Sequence, residues 1–345
     1  MADILTEFEL KLKELKDLAH KEGKKSVFCF ASTKNISTQN YYYTSFRISK
    51  IAVSICLMIK DVSTIEDILE RLDGKVDFVA YDAEIKFLEV ESLPILIKQK
   101  LKKTPVLSFL GNKMTSSAVV SFLQARLALS KELLSKKKVL IYGAGHLGGK
   151  IALDLIDHGC DIKICRRDFN KAREIVSAVN ILKAPFSSGS IQAIMANEAN
   201  SFSYDILLAC SNEPSSIGLD IVKVSSKNSI LIDVGLGNFS EEALSYLFSE
   251  KRLVFVANIQ SSFNSMVDHL LQDYKSYSGE MRAFIDEVEV YKSGVLSPKG
   301  AVVVDNLSDI QVVYGVSAGN GLLLKGAEEE AYSKELQLVR SKIQR

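Results

Sequence analysis

The chain has 345 residues, 47% of them hydrophobic, which is more than one core usually supports and leads us to expect more than one domain. Lys and Arg total 43 against 42 Asp and Glu, a net charge of +1 that leaves no excess field to gather nucleic acid or an anionic membrane. Five scattered cysteines (Cys29, Cys56, Cys160, Cys165, Cys210) read as reduced core thiols, and no metal-ligand spacing is visible. The apolar run Ile51–Ile59 is too short to span a bilayer, and the first 25 residues carry no signal-peptide core, so a cytoplasmic location is expected.

Leucines and charges at helical spacing predict a helix over Ile4–Ala19, which Gly23 ends before a strand at Ser26–Ala31. Helices are predicted over Tyr43–Lys60 and Thr64–Leu72, a strand over Val76–Tyr81 ending at Asp82, and a helix over Leu93–Lys102. A strand at Pro105–Leu110 then leads to Gly111-Asn112-Lys113. This alternation describes a parallel α/β domain. One long helix, Thr115–Leu134, opened by a Thr-Ser-Ser cap, links it through Ser135–Lys138 to the next unit.

That unit opens with Val139–Tyr142, a β-branched run suited to a doubly buried parallel strand, followed by Gly143-Ala144-Gly145-His146-Leu147-Gly148-Gly149. Apolar residues at Leu147, Ile151, Ala152 and Leu155 continue as a helix that Gly159 closes, and a second strand follows at Asp161–Cys165. Strand, glycine turn and helix in this order form the fingerprint of a dinucleotide-binding βαβ unit. Gly143 permits the tight turn, Gly145 lets backbone N–H groups approach a pyrophosphate, and Gly148 lets helix and strand pack closely. The anion would rest on the helix N-terminus, with His146 flanking it or pointing to solvent.

The residues after the second strand distinguish the two nicotinamide cofactors. An acid there binds a ribose 2′-hydroxyl, whereas a base accepts a 2′-phosphate. Here the chain reads Arg166-Arg167-Asp168, which favours NADP, with NAD as the alternative. Asp168 stands late for the ribose role and suits the cap of a helix at Phe169–Val179. Further strands are predicted at Tyr204–Cys210, Ser229–Val234 and Arg252–Ala257. The turns after the first two place Ser211, Asn212, Val234 and Gly235 where ligands bind in open parallel sheets.

From Ile259 onward, helices are predicted at Phe263–Leu271 and Met281–Tyr291, an extended segment at Ala301–Asp305, and a solvated helix in the charged tail, Glu328–Arg345. Ser317–Gly321 marks a break, from which Asn320 could reach the cleft. The division expected is residues 1–130 as an N-terminal α/β substrate and catalytic domain with its linking helix, 131–262 as a Rossmann domain, and 263–345 as a mostly helical segment. That last segment would pack on the cleft or on a second copy of the chain, so a homodimer is an option.

This arrangement resembles the two-domain amino-acid-dehydrogenase-like Rossmann superfamily, which includes shikimate dehydrogenase, methylenetetrahydrofolate dehydrogenase and glutamyl-tRNA reductase. The stretch carrying it runs from Gly-Asn-Lys-Met-Thr at Gly111 to Cys-Arg-Arg-Asp-Phe-Asn-Lys-Ala ending at Ala172. Shikimate dehydrogenases have Asn-Arg-Thr where this chain has Arg166-Arg167-Asp168, which supports the phosphorylated cofactor. They also carry an Asn-Thr-Asp segment near the linking helix, absent from Lys113-Met114-Thr115-Ser116, so the substrate is not expected to be shikimate. Residues 32–35 read Ser-Thr-Lys-Asn where glutamyl-tRNA reductases have Ser-Thr-Cys-Asn, which removes the thioester nucleophile. Cys29, mid-strand between two phenylalanines, is read as a core thiol.

The resemblance implies hydride transfer in an interdomain cleft, on a small polar carbonyl or imine. The proton would be handled by a group of the first domain. Lys34 and Lys113, each after a strand, are the candidates, with Asp82 pairing with either to fix the proton. Asn35, Asn40 and Tyr41–Tyr43 line a pocket or serve as cap and packing. A redox-neutral enzyme holding its cofactor tightly, and a non-catalytic dinucleotide sensor, remain open alternatives.

Overall fold

The computed structural model describes residues 4–32, 41–60, 62, 65–84 and 91–343, and divides into two units, Met1–Asp268 and His269–Arg345. The first unit is mixed α/β with two mainly parallel sheets.

The first sheet is built from β1 (Lys25–Ser32), β2 (Tyr41–Tyr43), β3 (Arg47–Ile48), β4 (Ala52–Ile59), β5 (Phe78–Asp82) and β6 (Val106–Phe109). Its order is β2-β4-β1-β5-β6. The strands β4, β1, β5 and β6 run parallel, while β2 and β3 pair antiparallel with β4. One face carries Phe28, Phe30, Val53, Ile55, Leu57, Ile59 and Val79. It packs on Phe8, Leu12 and Leu15 of helix α1 (Ile4–Glu22), Ile68 and Leu69 of α2 (Glu66–Leu72), and Ile97 of α3 (Leu93–Lys100).

The helix expected over Tyr43–Lys60 is instead this β2-β3-β4 corner. Seven of the eight β4 residues are buried, so the strand shows the unbroken apolar run of one covered on both faces, and that run lacks the alternation that separates strand from helix. The linking helix α4 spans Gly111–Leu129, so it starts before Thr115, whose hydroxyl donates back to the Gly111 carbonyl at 2.9 Å. Its first N–H groups are held by carboxylates instead: Gly111 N–H donates to Asp82 Oδ1 at 3.0 Å, and Asn112 N–H to Glu84.

The second sheet holds β7 (Lys138–Tyr142), β8 (Asp161–Cys165), β9 (Ser190–Ile194), β10 (Ile206–Ala209), β11 (Ile230–Asp233) and β12 (Val254–Val256). All pairings are parallel, and the order β9-β8-β7-β10-β11-β12 is the doubly wound Rossmann order. Its β9, a five-residue edge strand in which only Ile194 is fully buried, is not among the predicted strands. Val139, Ile141, Ile162, Ile164, Ile206 and Leu208 pack on α4, on α5 (His146–Asp157) and on α6 (Phe169–Leu182). Leu140, Leu207 and Leu231 face the opposite way, toward α7 (Leu219–Lys223) and α8 (Glu241–Ser249). Both faces are thus covered, as the continuous apolar strands require. Gly159 adopts a φ of +83° just past the end of α5, which is why glycine closes that helix.

Helix α9 (Gln260–Tyr277) begins in the first unit. There Asp268 accepts from the Ser49 hydroxyl at 2.5 Å and from the backbone N–H groups of Lys50 and Ile51, while Phe263 packs edge-on against Phe109.

The second unit is a four-stranded sheet, β13 (Arg282–Ile285), β14 (Val288–Lys292), β15 (Val302–Val304) and β16 (Val313–Val316), with α10 (Ala327–Glu330) and α11 (Ser333–Arg340). The helix expected at Met281–Tyr291 is a hairpin, so the region expected to be mostly helical carries a sheet beside its helices. The two turn residues, Asp286 and Glu287, take φ of +45° and +74°, the left-handed pair that matches strand twist. The tail is not wholly solvated: Leu336 and Val339 of α11 are buried against Val290, Val302 and Val316. Asn320 sits in the turn after β16, where its side chain accepts the Leu322 N–H at 3.1 Å.

Candidate functional site

In a sheet wound in two directions from its centre, the first strands on either side leave a crevice at their C-terminal ends. Here those strands are β7 and β10. A cavity of about 550 Å³ opens there, lined by Tyr142, Gly143, Gly145, Arg166, Arg167 and Ser211 among others.

Each glycine of the turn has a separate geometric cause. Gly143 has a φ of +108°, and a Cβ on it would lie 2.6 Å from backbone atoms of Cys210 and Ser211, so the turn and the β10 exit touch backbone to backbone. A Cβ on Gly148 would lie 2.4 Å from the Gly143 carbonyl oxygen, so this glycine lets α5 start against the turn. Gly145, which precedes α5, would meet nothing within 4 Å, leaving open space where an anion can approach the helix N-terminus formed by His146 and Leu147. The Cys165 carbonyl accepts from both Gly143 and Ala144, each at 2.9 Å, and so fixes the turn against β8.

Beyond β8, Arg166 Nη1 donates to the Ala144 carbonyl at 2.9 Å, which lays this guanidinium along the glycine turn. Arg167 reaches across the cavity to Glu213. Asp168 is used as a cap, its side chain accepting the Lys171 N–H at 3.2 Å. On the far wall, Ser211 N–H donates to Asn238 Oδ1 at 2.9 Å, and Asp233 accepts the N–H groups of Leu236 and Asn238 at 2.9 and 3.0 Å. The turn holding Val234 and Gly235 is thereby tied to the one holding Ser211 and Asn212. A Cβ on Gly235 would lie 2.3 Å from the Ser211 carbonyl oxygen.

Burial pushes the Cys165 and Cys210 thiols up to about 12 and raises the half-buried Tyr142 phenol, so these three groups stay neutral. Cys29 is fully buried and its thiol is pushed up by the same cause, in agreement with a core thiol.

The candidates for proton transfer are placed as follows. Lys34, with Asn35 and Asn40, lies outside the described residues. Lys113 is on the first turn of α4, where its ammonium is 3.5 Å from Asp154 of α5 rather than paired with Asp82. Asp82 is 4% exposed, and its Oδ1 accepts the N–H groups of Gly111 and Glu84, both at 3.0 Å. It is committed to holding the start of α4. Tyr41 and Tyr43 pack edge-to-face, and Tyr43 also stacks edge-on with Phe28, so both belong to the first core while Tyr42 is partly exposed.

Glu84 and Lys150 were not among the candidates. The Glu84 side chain, 8% exposed, forms an ion pair with Lys150 of α5, and its Oε1 lies 4.0 Å from His146 Nδ1. The ring of His146 also sits 3.3 Å from the Asn112 side-chain amide. This cluster fastens the exit of β5 and the start of α4 to the helix that follows the glycine turn. Only the charge of Glu84 and Lys150 signals them in the sequence, because 66 positions separate the partners.

No family model matches the chain. It is 24% identical over 147 residues to the glutamyl-tRNA reductase of Thermosipho melanesiensis, covering 43% of this chain and 38% of that protein. The chain thus spans well under half of the curated relative it matches. Among solved structures it is similar to the L-tryptophan dehydrogenase of Nostoc punctiforme (TM-score 0.43, 13% identity, 73% of this chain and 75% of that one). It is also similar to the 5-ketofructose reductase of a Gluconobacter species (TM-score 0.41, 14% identity, 71% of this chain and 92% of that one). Among the described residues no helix is long and apolar enough to cross a membrane, and no group of three or more His, Cys, Asp or Glu could hold a metal.

Proposed function

We propose that the protein is an oxidoreductase that uses a nicotinamide dinucleotide, NADP in preference to NAD, to transfer a hydride to or from a small polar carbonyl or imine. The observation that carries this reading is the glycine turn at the β7/β10 crevice, where two glycines are required by close backbone contact and the third, Gly145, stands in front of open space. That combination fits a pyrophosphate resting on the start of α5. The cofactor, when bound, supplies the hydride-carrying ring.

The chain's own residues do the rest. The backbone at Gly145, His146 and Leu147 holds the pyrophosphate, Arg166 and Arg167 receive the 2′-phosphate, and Ser211, Asn212, Val234 and Gly235 border the nicotinamide end. Lys113, held by Asp154, is the proposed proton donor or acceptor, with Lys34 as the second candidate; Asp82 keeps α4, and hence Lys113, in place. The substrate is a small molecule.

Spectrophotometric turnover of NADPH against a panel of α-keto acids, aldehydes and cyclic imines tests this. Oxidation that Lys113→Met abolishes while NADPH binding persists supports the reading. Binding without turnover on every member of the panel makes the protein a dinucleotide sensor instead, and cofactor retained through purification and reoxidised within each cycle makes it a redox-neutral enzyme.

A further inference from the structure

We propose that Glu213 determines cofactor specificity by acting as a stand-in for the 2′-phosphate, holding Arg167 until a phosphorylated dinucleotide displaces it. This rests on the cofactor reading above.

The carboxylates of the cavity wall are Asp168 and Glu213. Asp168 is spent on the N-terminus of α6. Glu213 instead pairs with Arg167, accepting one hydrogen bond from Nη1 at 3.4 Å with Nε 3.3 Å from its other oxygen, and so joins the exit of β8 to the exit of β10. A carboxylate held against the guanidinium occupies the place that phosphate oxygens would take on the same cation.

Glu213 is also held in position. Its own N–H donates to the Ser211 hydroxyl at 3.0 Å, Pro214 follows it, and Ser211 is fastened to Asn238. The ion pair itself is displaceable, since the two side chains are 83% and 49% exposed and such pairs are weak in water.

Exchange then depends on charge. A phosphate monoester carries more than one negative charge near neutral pH and outcompetes a single carboxylate for the two arginines. A ribose hydroxyl has no charge with which to do so, so Arg167 remains with Glu213 when the ligand is NADH. Glu213 therefore taxes NADPH binding through the pair it must surrender, and its loss benefits the phosphorylated ligand alone.

The test is fluorescence titration of wild type, Glu213→Gln, Arg167→Ala and the double variant with NADPH and with NADH. We expect Glu213→Gln to bind NADPH about two- to fivefold more tightly with NADH unchanged, and the gain to vanish when Arg167 is absent. An unaltered NADPH/NADH ratio in Glu213→Gln overturns the inference while leaving the cofactor reading intact. Weakened NADH binding in that variant also overturns it, by showing that Glu213 accepts from the ribose hydroxyl. Failure of the wild type to bind either dinucleotide removes the cofactor reading first, and the inference with it. Unchanged thermal midpoints establish that the variants are folded.

Discussion

Arg166 Nη1 donates to the carbonyl oxygen of Ala144 at 2.9 Å, joining the first residue after β8 to the middle of the glycine turn. The contact orients a cation along the turn that would hold the pyrophosphate. In the proposed NADP complex this contact would couple the pyrophosphate site to the 2′-phosphate site.

The three glycines give separable outcomes. Gly143→Ala places a Cβ 2.6 Å from backbone at a φ of +108°, and Gly148→Ala places one 2.4 Å from a carbonyl oxygen, so both lose stability. For Gly143→Ala the backbone strain alone costs about 1–3 kcal/mol. Gly145→Ala meets nothing and has an ordinary φ of −96°, so its urea midpoint stays near wild type while dinucleotide affinity falls. Denaturation and titration run on all three check this.

Asp82 holds the start of α4. Asp82→Ala leaves the first N–H of α4 unpaired in a buried site and costs about 1–3 kcal/mol, measured by urea unfolding. Asp82→Asn keeps one acceptor oxygen and costs less. A catalytic role would show the opposite pattern, unchanged stability with lost turnover.

The thiols of Cys160, Cys165 and Cys210 are each pushed up to about 12, mainly by burial, from an ordinary 9.0. Their thiolate population near neutral pH is then roughly a thousandfold below that of a free thiol, so iodoacetamide labels them only after denaturation. A thiol that holds its proton more tightly when folded contributes fully below pH 9 and loses that contribution as pH rises toward 12, so the urea midpoint declines over that window.

Asp77 gives the acid limb. Partial burial raises its carboxyl, but the Ser26 N–H and hydroxyl and the Lys25 ammonium outweigh that and hold it below 3.8. Its stabilisation is present above the unfolded value and disappears as pH falls through the lowered one. Wild type and Asp77→Asn should thus differ in thermal midpoint at pH 6, with the difference shrinking as pH falls below 3.8.

The sequence is legible where local chemistry alone sets structure. Asp161–Cys165 is a strand over the expected residues, Asp168 caps α6, and Gly159 follows α5 with a positive φ. Reading failed where burial on both faces erased periodicity, as in Ala52–Ile59, and where a turn used Asp286-Glu287 instead of an Asn-Gly signal. In the site, glycines and arginines announce themselves through their spacing to a strand end. Their partners do not: Glu213 meets Arg167 across 46 positions, and Glu84 meets Lys150 across 66, so no local pattern could pair them.

The β7/β10 crevice is proposed to take a dinucleotide whose phosphorylated form the arginines after β8 select. Calorimetric titration with NADPH and NADH, on wild type and Arg166→Ala, tests it most directly. Saturable binding that is tighter for NADPH is expected, with Arg166→Ala losing about 1.5–3 kcal/mol toward NADPH and much less toward NADH, as for a hydrogen bond to a charged group. Equal or tighter binding of NADH, unmoved by Arg166→Ala, would contradict it.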